Sequence, residues 1–392
     1  MSSERQARGP RMPTGSDRLE QGLTRRRLLE VGAGGALAIG TGSLLAACSA
    51  SSPPGAKTTP TSAAGGAPVR GGTLKLGMTT GGTAETVNPG NAATFTDNMR
   101  INQLFNFLFV INNHLQTVPS LATSAEPNRD ASIWTLHLRD GVKWHDGKPF
   151  TADDVVWTIR GWGSPANFAH GVLSCIDFTN VRKRGRSVVE VPLTRPVAQF
   201  PTLFSWPNAA IVQNGATFKE VSSKPVGTGP FKFVSFTPGT QSVFARNPDY
   251  WGDPEKPYID TLVMDTSFTD EASRNNALLS GALDVSSVYP PALAKQQLSG
   301  GQVNVLRAPG SDCAYFTMRV NEGPLADVRV RKALKLLADR PALVEGTFNG
   351  LGEVGNDNYV IDVEYTLQGV HPVHDVEQAK SLLKAAGRGA RR

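Results

Sequence analysis

The chain has 392 residues, a formal net charge of +6 and three cysteines. Part of that charge sits in an arginine-rich start, and no basic stripe is interleaved with aromatics, which excludes nucleic-acid binding. No C-x-x-C pair is present, so a thiol redox site and a thiolate zinc site have no support.

In chain order, the first feature is a leader. Arg25, Arg26 and Arg27 precede an apolar run, Val31 to Ala47, that glycines dilute. The run is too short and too glycine-rich for a membrane span of roughly 20 apolar residues. A charged start, a short apolar run and small residues before a cut read as a secretory signal over residues 1–47. Thr24-Arg25-Arg26-Arg27-Leu28-Leu29 resembles the twin-arginine export signature, an address rather than an anchor. Leu45-Ala46-Ala47-Cys48 resembles the bacterial lipobox, which implies a lipid on the Cys48 thiol and a protein held at the outer face of the cell membrane. Residues 48–70 hold almost no large apolar side chain and read as a flexible tether of Pro/Ser/Gly type.

The body beyond residue 70 exceeds the roughly 250–300 residues at which one core stops growing, so two or three lobes are expected. Thr73 to Met78 alternates and predicts a half-buried strand; Gly81 to Gly90 is rich in turns. Ile101, Leu104, Phe105 and Leu108 give helical spacing over 98–109. Ile133 to Leu138 and Val142 to Trp144 predict strands, with hairpin turns at Asp140-Gly141 and Asp146-Gly147. Thr151 with Asp154, flanked by Phe150 and Val155, predicts a capping box and hydrophobic staple at a helix start. Ser187–Leu193, Gly227–Phe236, Gln241–Ala245, Ile259–Asp265, Leu283–Val285, Val303–Arg307 and Tyr315–Val320 predict further strands. Helices are expected at Thr269–Ser280, Asp327–Ala338 and after the Asp375 cap, the last ended by Gly387. The interleaving predicts mixed α/β lobes.

Catalytic constellations are missing from the sequence. There is no G-x-S-x-G, H-E-x-x-H or G-x-x-x-x-G-K-[ST]. His371-Pro372-Val373-His374 has a ligand-like spacing but reads as a loop before a helix. His137 and His145 read as ordinary strand residues, and Asp153-Asp154 as helix N-terminal charges. Trp162, between two glycines, reads as core. Cys175 and Cys313 are distant in sequence; a disulfide and two buried thiols both fit.

Three long blocks resemble one family. Thr135–Ile159, Pro225–Gly252 and Pro324–Gly352 are similar to segments of the peptide-type, family 5 solute-binding proteins of ABC importers, as are Gly281–Val285 and Asp375–Gly387. The resemblance implies a bilobal α/β clamp of the type II periplasmic-binding-protein kind with an extra subdomain. It implies a first lobe at 71–100 and 226–308, the extra subdomain as second lobe at 101–225, and the start of a third at 309–392. It implies hinge closure on a peptide, or on a nickel chelate, haem, sugar or opine. Delivery would be to a membrane permease with its ATPase, by a monomer that needs no cofactor and is not an enzyme. Ligand contacts are expected near Thr94 and Phe95, after the first strand, and at the lobe crossings near Tyr289, Asp312 and Tyr315. The family continues well past the Asp375 helix, so the third lobe is expected to be incomplete and ligand binding weak or absent. The acidic residue that meets the peptide amine in relatives has no counterpart here. Other readings are a surface sensor or adhesion lipoprotein reusing the clamp, a truncated non-binding remnant, and an exported hydrolase, which the absence of a triad or metal set disfavours.

Overall fold

The structure is a computed structural model that describes residues 68–253, 256–287, 290–300, 302–306, 314, 316–355, 357 and 372–388. Its elements in chain order begin with strand β1 (Thr73–Gly77) and helix α1 (Phe95–Leu104). There follow β2 (Phe109–Ile111), β3 (Thr117–Pro119), β4 (Ala122–Pro127), β5 (Ile133–Leu138), α2 (Ala152–Gly161), α3 (Ala169–Val172), β6 (Arg182–Lys183), β7 (Val188–Pro192), α4 (Phe200–Leu203) and α5 (Phe218–Ser223). Then come β8 (Phe231–Thr237), β9 (Gln241–Arg246), β10 (Thr261–Asp265), α6 (Glu271–Leu279), β11 (Val285–Ser286), α7 (Pro291–Gly300), α8 (Val328–Leu337), α9 (Arg340–Phe348) and α10 (Val376–Ala385).

Two sheets carry two separate cores. The first sheet has strand order β11-β1-β10-β9-β8, with β1 parallel to both its neighbours and the β10-β9-β8 side antiparallel. In β10 the inward Leu262 and Met264 alternate with half-buried residues. They join Met78, Ile101, Leu104, Phe105, Phe231 and Phe244 in the first core. The second sheet, β4-β5-β7-β6, is antiparallel throughout. Strict alternation in β5 sends Trp134, Leu136 and Leu138 inward, onto Val155 and Ile159 of α2. Phe200 and Phe204 meet edge to face at 4.7 Å in this second core. Trp162 and Cys175 are buried there too, the latter a free thiol; Cys48 and Cys313 lie outside the described residues.

The α2 start is built as the capping pattern requires: the Asp154 carboxylate accepts from the Thr151 N–H at 2.7 Å, and Phe150 and Val155 are both buried. Four expectations are corrected. The first helix runs over Phe95–Leu104 rather than 98–109, because Thr94 and Asp97 cap it earlier. At its other end the Leu104 carbonyl takes the Gly229 N–H (3.0 Å) and the chain turns extended. Val142–Trp144 forms only a bridge, Lys143 to Pro149, between two glycine turns with φ of 79° at Gly141 and 86° at Gly147. His145 is a half-buried residue of that hairpin rather than a strand residue. Described residues 303–306 and 316–320 form no strand; no partner ladder lies beside them, and Phe316 is 83 % exposed.

Helices α8 and α10 pack together, and the Asp375 N–H donates to the Leu336 carbonyl (3.0 Å). The buried stripe of α8 is narrower than its spacing suggests: Val330 and Ala333 are buried, Leu334 and Leu337 exposed. Asp375 caps α10 by accepting from the Gln378 N–H, and Gly387 follows with φ of 70°.

Candidate functional site

Neighbouring strands β1 and β10 send their outgoing connections in opposite directions. From β1 the chain travels toward the β8 edge; from β10 it passes through α6 to β11, on the far side of β1. In sheets with parallel strands, the crevice outside the carboxyl ends at such a reversal is where ligands bind. Here that edge is made by Gly77–Thr80, Asp265–Ser267 and Ser286–Ser287. Its backbone is stitched: Met78 N–H donates to the Asp265 carbonyl (2.9 Å) and Ser287 N–H to the Gly77 carbonyl (3.0 Å). Thr80 and Ser267 are exposed on it.

The loop that follows β1 is held from below by a buried ion cluster. Arg100 has no exposed surface; its Nη2 donates to Glu85 Oε2 at 2.7 Å, its Nη1 to Asp97 Oδ1 at 3.1 Å and its Nε to Ser242 Oγ at 2.6 Å. The Phe236 ring covers the guanidinium at 4.9 Å. Glu85 also accepts from the N–H groups of Gly81 (2.7 Å) and Gly239 (3.0 Å) and from the Thr266 hydroxyl (3.1 Å). Asp97 accepts from the N–H groups of Thr86 (2.9 Å) and Thr94 (3.1 Å). Burying charge costs several kcal/mol per ion unless the lone pairs are matched, and here they are matched many times. The chain from Gly81 to Thr94 is therefore fixed against β9, β10 and α1.

Thr94 and Phe95, both expected at a ligand, lie on this loop. Thr94 is half-buried and is the N-cap of α1, accepting from the Asp97 N–H at 3.0 Å. Phe95 opens the helix and is 52 % exposed. Tyr289, Asp312, Tyr315, Cys48, Arg25 and Arg26 lie outside the described residues. The Arg100–Glu85–Asp97 cluster was not anticipated from the sequence; an arginine one residue before Ile101, inside a stripe of core residues, was the available signal.

The second core joins the first at the opposite edge of this sheet, just before β8, where the amino ends of β1 and β10 lie. His145 Nε2 lies 3.0 Å from the Gly229 carbonyl, and the Gly227 N–H donates to His145 Nδ1 at 3.1 Å. Nδ1 therefore accepts, Nε2 carries the hydrogen and the ring is neutral. Burial, chiefly, lowers its pKa to about 4; Lys232 acts in the same direction, and the Gly229 carbonyl and Asp146 oppose. Gly227 and Gly229 are glycine for a steric reason: a Cβ on Gly227 would stand 1.8 Å from the Leu104 carbonyl oxygen, and one on Gly229 2.4 Å from that of Gln103.

Among the described residues no three His, Cys, Asp or Glu gather to hold a metal, and no helix is long and apolar enough to cross a membrane. His371 lies outside the described residues, so the H-x-x-H pair is not assembled in them.

The model for bacterial extracellular solute-binding proteins, family 5 (middle), matches residues 116–391. The dipeptide-binding protein of Escherichia coli is 30 % identical over 308 residues, which cover 69 % of this chain and 55 % of that protein. Heme-binding protein A of Haemophilus influenzae is 28 % identical over 297 residues, covering 69 % and 53 %. Among solved structures, the periplasmic binding protein DppA of Helicobacter pylori in complex with the peptide STSA aligns with a TM-score of 0.66 at 21 % identity, covering 82 % of this chain and 67 % of that one. The substrate-binding protein CtaP of Listeria monocytogenes aligns at 0.69 and 24 %, covering 81 % and 66 %. The fold is thus the mixed α/β, bilobal type II clamp of periplasmic binding proteins. The chain spans about half the length of the curated relatives it matches.

Proposed function

The chain belongs to the bacterial extracellular solute-binding proteins, family 5, and from that premise we propose that it captures short peptides for an ABC importer. The observation that carries the reading is the β1/β10 carboxyl edge, with its loop locked by buried Arg100 and Phe95 standing exposed beside it. Extended peptides bind through main-chain groups, and such an edge offers hydroxyls and backbone at fixed positions. Thr94 and Phe95 are assigned to ligand contacts on this edge, and Tyr289, Asp312 and Tyr315 to contacts at the lobe crossings. Residues 71–100 with 226–308 are assigned to the first lobe, 101–225 to the second, although Ile101, Leu104 and Phe105 at its start pack in the first core, and 309–392 to the third.

Closure works by differential affinity: the ligand favours the closed arrangement, and a permease with its ATPase reads it. The reading involves no bond breaking and no cofactor. Cys48 carries the lipid that keeps the protein, as a monomer, at the outer face of the cell membrane, after export on Arg25 and Arg26. Cys48→Ala then moves the protein from the membrane fraction to the soluble one, and a protein that stays with the membrane removes the anchor.

The test is a thermal-shift titration with di- to pentapeptides, carried to millimolar concentration because a Kd of 1 mM corresponds to only about −4 kcal/mol. A saturable rise with peptides, absent with haem or a nickel chelate, supports the assignment. No rise with any peptide, or a rise with haem or the chelate instead, overturns it.

A further inference from the structure

One corner of the second core gathers positive charge. Edge strand β6 and the turn after it read Arg182-Lys183-Arg184-Gly185-Arg186, and all four basic residues are exposed. Gly185, with φ of 93°, makes the turn. A fifth cation is held beside them: Arg160 of α2 donates from Nη2 to the Val181 carbonyl at 2.9 Å. Two carboxylates answer this charge. Asp153 pairs with Lys183 at 2.7 Å, and Glu190 with Arg182 at 2.6 Å and Arg184 at 3.0 Å. Five cations against two carboxylates leave a local positive excess.

An indole stands on the α2 side of this edge, with Lys183 and Arg160. Asp153, Trp157 and Arg160 are spaced i, i+4, i+7 and share a face of α2. The outer two touch the β6 segment, and Trp157 between them is 46 % exposed. Basic residues on a short edge strand deter strand addition. That role uses neither Arg160, which lies off the edge, nor an exposed indole.

We propose that this edge, with Trp157, Arg160 and Lys183 on the α2 side, Arg182 and Arg184 beside Glu190 on the other and Arg186 in the turn, docks on an anionic lipid bilayer. The guanidinium groups meet headgroup phosphates, which they bind through paired donors. The indole enters the interfacial layer, where a ring with an apolar body and one N–H is favoured. Charge complementarity selects an anionic partner within about one Debye length. The indole selects a bilayer over a soluble acidic chain. The contact is independent of the ligand edge and of any lipid anchor.

Hydrogen exchange read by mass spectrometry on the full chain tests this locally, so that binding elsewhere on the chain does not mask it. Vesicles of phosphatidylglycerol and phosphatidylcholine in equal parts should protect peptides covering 153–160 and 181–187. Vesicles of phosphatidylcholine alone should not. Protection should vanish in about 1 M sodium chloride, where the screening length is about 3 Å. In Arg184→Gln/Arg186→Gln the lipid needed for half-protection should rise on the order of 30-fold, since each basic residue contributes about fivefold. Trp157→Ala should raise it as well, and unchanged far-UV melts show that both variants fold. Three results overturn the proposal: equal exchange with both vesicle types, protection that the charge variant retains, or protection by polyglutamate equal to that by the anionic vesicles.

Discussion

Acidification should weaken the junction between the two cores through one histidine. His145 is neutral in the fold, with Nδ1 accepting from Gly227 and Nε2 donating to Gly229, and its pKa is lowered to about 4. In the unfolded chain it titrates near 6.5. Between those values the unfolded state binds more protons, so stability rises with pH across that window. The contribution is fully present above the unfolded value and is lost as pH falls toward the folded one. From about pH 7.5 to about 4.5, linkage gives a loss of about 2.5 kcal/mol from this ring alone. Carboxylates titrate in the same range, so the measurement is a difference. His145→Gln can keep both hydrogen bonds, oxygen accepting from Gly227 and amide donating to Gly229, and it has no proton to gain. Urea unfolding followed by tryptophan fluorescence, extrapolated linearly at each pH, should show the wild-type curve falling below that of the variant as pH drops. Parallel curves would refute the assignment of the neutral ring to the junction.

Gly227→Ala should destabilise by at least about 3 kcal/mol, because its Cβ meets a backbone carbonyl that cannot rotate away. Gly161→Ala, with no atom within 4 Å of the new Cβ, should change the melt by less than about 1 kcal/mol; equal melts would show that the crossing is not close-packed. Arg100→Leu should cost about 3–5 kcal/mol by stranding Glu85 and Asp97, and adding Glu85→Gln should recover part of it. A double variant no more stable than the single one in urea would show that the two charges are not coupled as drawn. Phe95→Ala should leave stability within about 1 kcal/mol, since the ring is half exposed, yet weaken peptide capture about tenfold in the thermal-shift titration. Thr94→Ala should cost about 1 kcal/mol through the lost cap while Thr94→Ser keeps it; capture that is indifferent to Phe95 would move the ligand away from this edge.

The local elements were legible where chemistry and spacing coincide. Thr151 with Asp154 announced α2, Gly281 and Gly387 closed α6 and α10, and the alternation of Ile133–Leu138 set both strand and inward face. Thr217-Phe218-Lys219-Glu220 carries an equally plain capping box, and Thr217 and Glu220 cap α5 as the pattern requires. The site was less legible because its parts are distant in sequence. Glu85, Arg100, Ser242 and Thr266 converge only once β9 and β10 lie beside α1, and nothing near Arg100 shows which carboxylate it will meet. His145 resembled an alternating strand residue because its role is set by Gly227 and Gly229, more than 80 positions away.

A clamp needs one joint that bends and others that hold, and the hydrogen bonds indicate which is which. The two crossings between the cores lie side by side. Leu104 accepts from Gly229 at 3.0 Å, and Asn106 Oδ1 accepts from Thr228 Oγ1 and Trp251 Nε1, both at 3.0 Å. Farther out, Asn208 donates to the Pro89 and Ala92 carbonyls at 2.7 and 2.9 Å, and Asn88 donates to Ser222 Oγ at 2.9 Å. Bending here would strand buried donors and acceptors at about 1–3 kcal/mol each, so the two cores move together. Among the described residues beyond β11 the ties are weaker. Helix α7 meets α9 with an exposed Lys295–Glu345 pair at 2.9 Å, and such pairs contribute about 0–1 kcal/mol. On the proposed function, motion that opens or shuts a crevice at the β1/β10 edge would therefore belong to the segment after β11. The second core is a rigid extension of the first, which leaves the Arg160–Arg186 corner free to rest on a surface while the edge works.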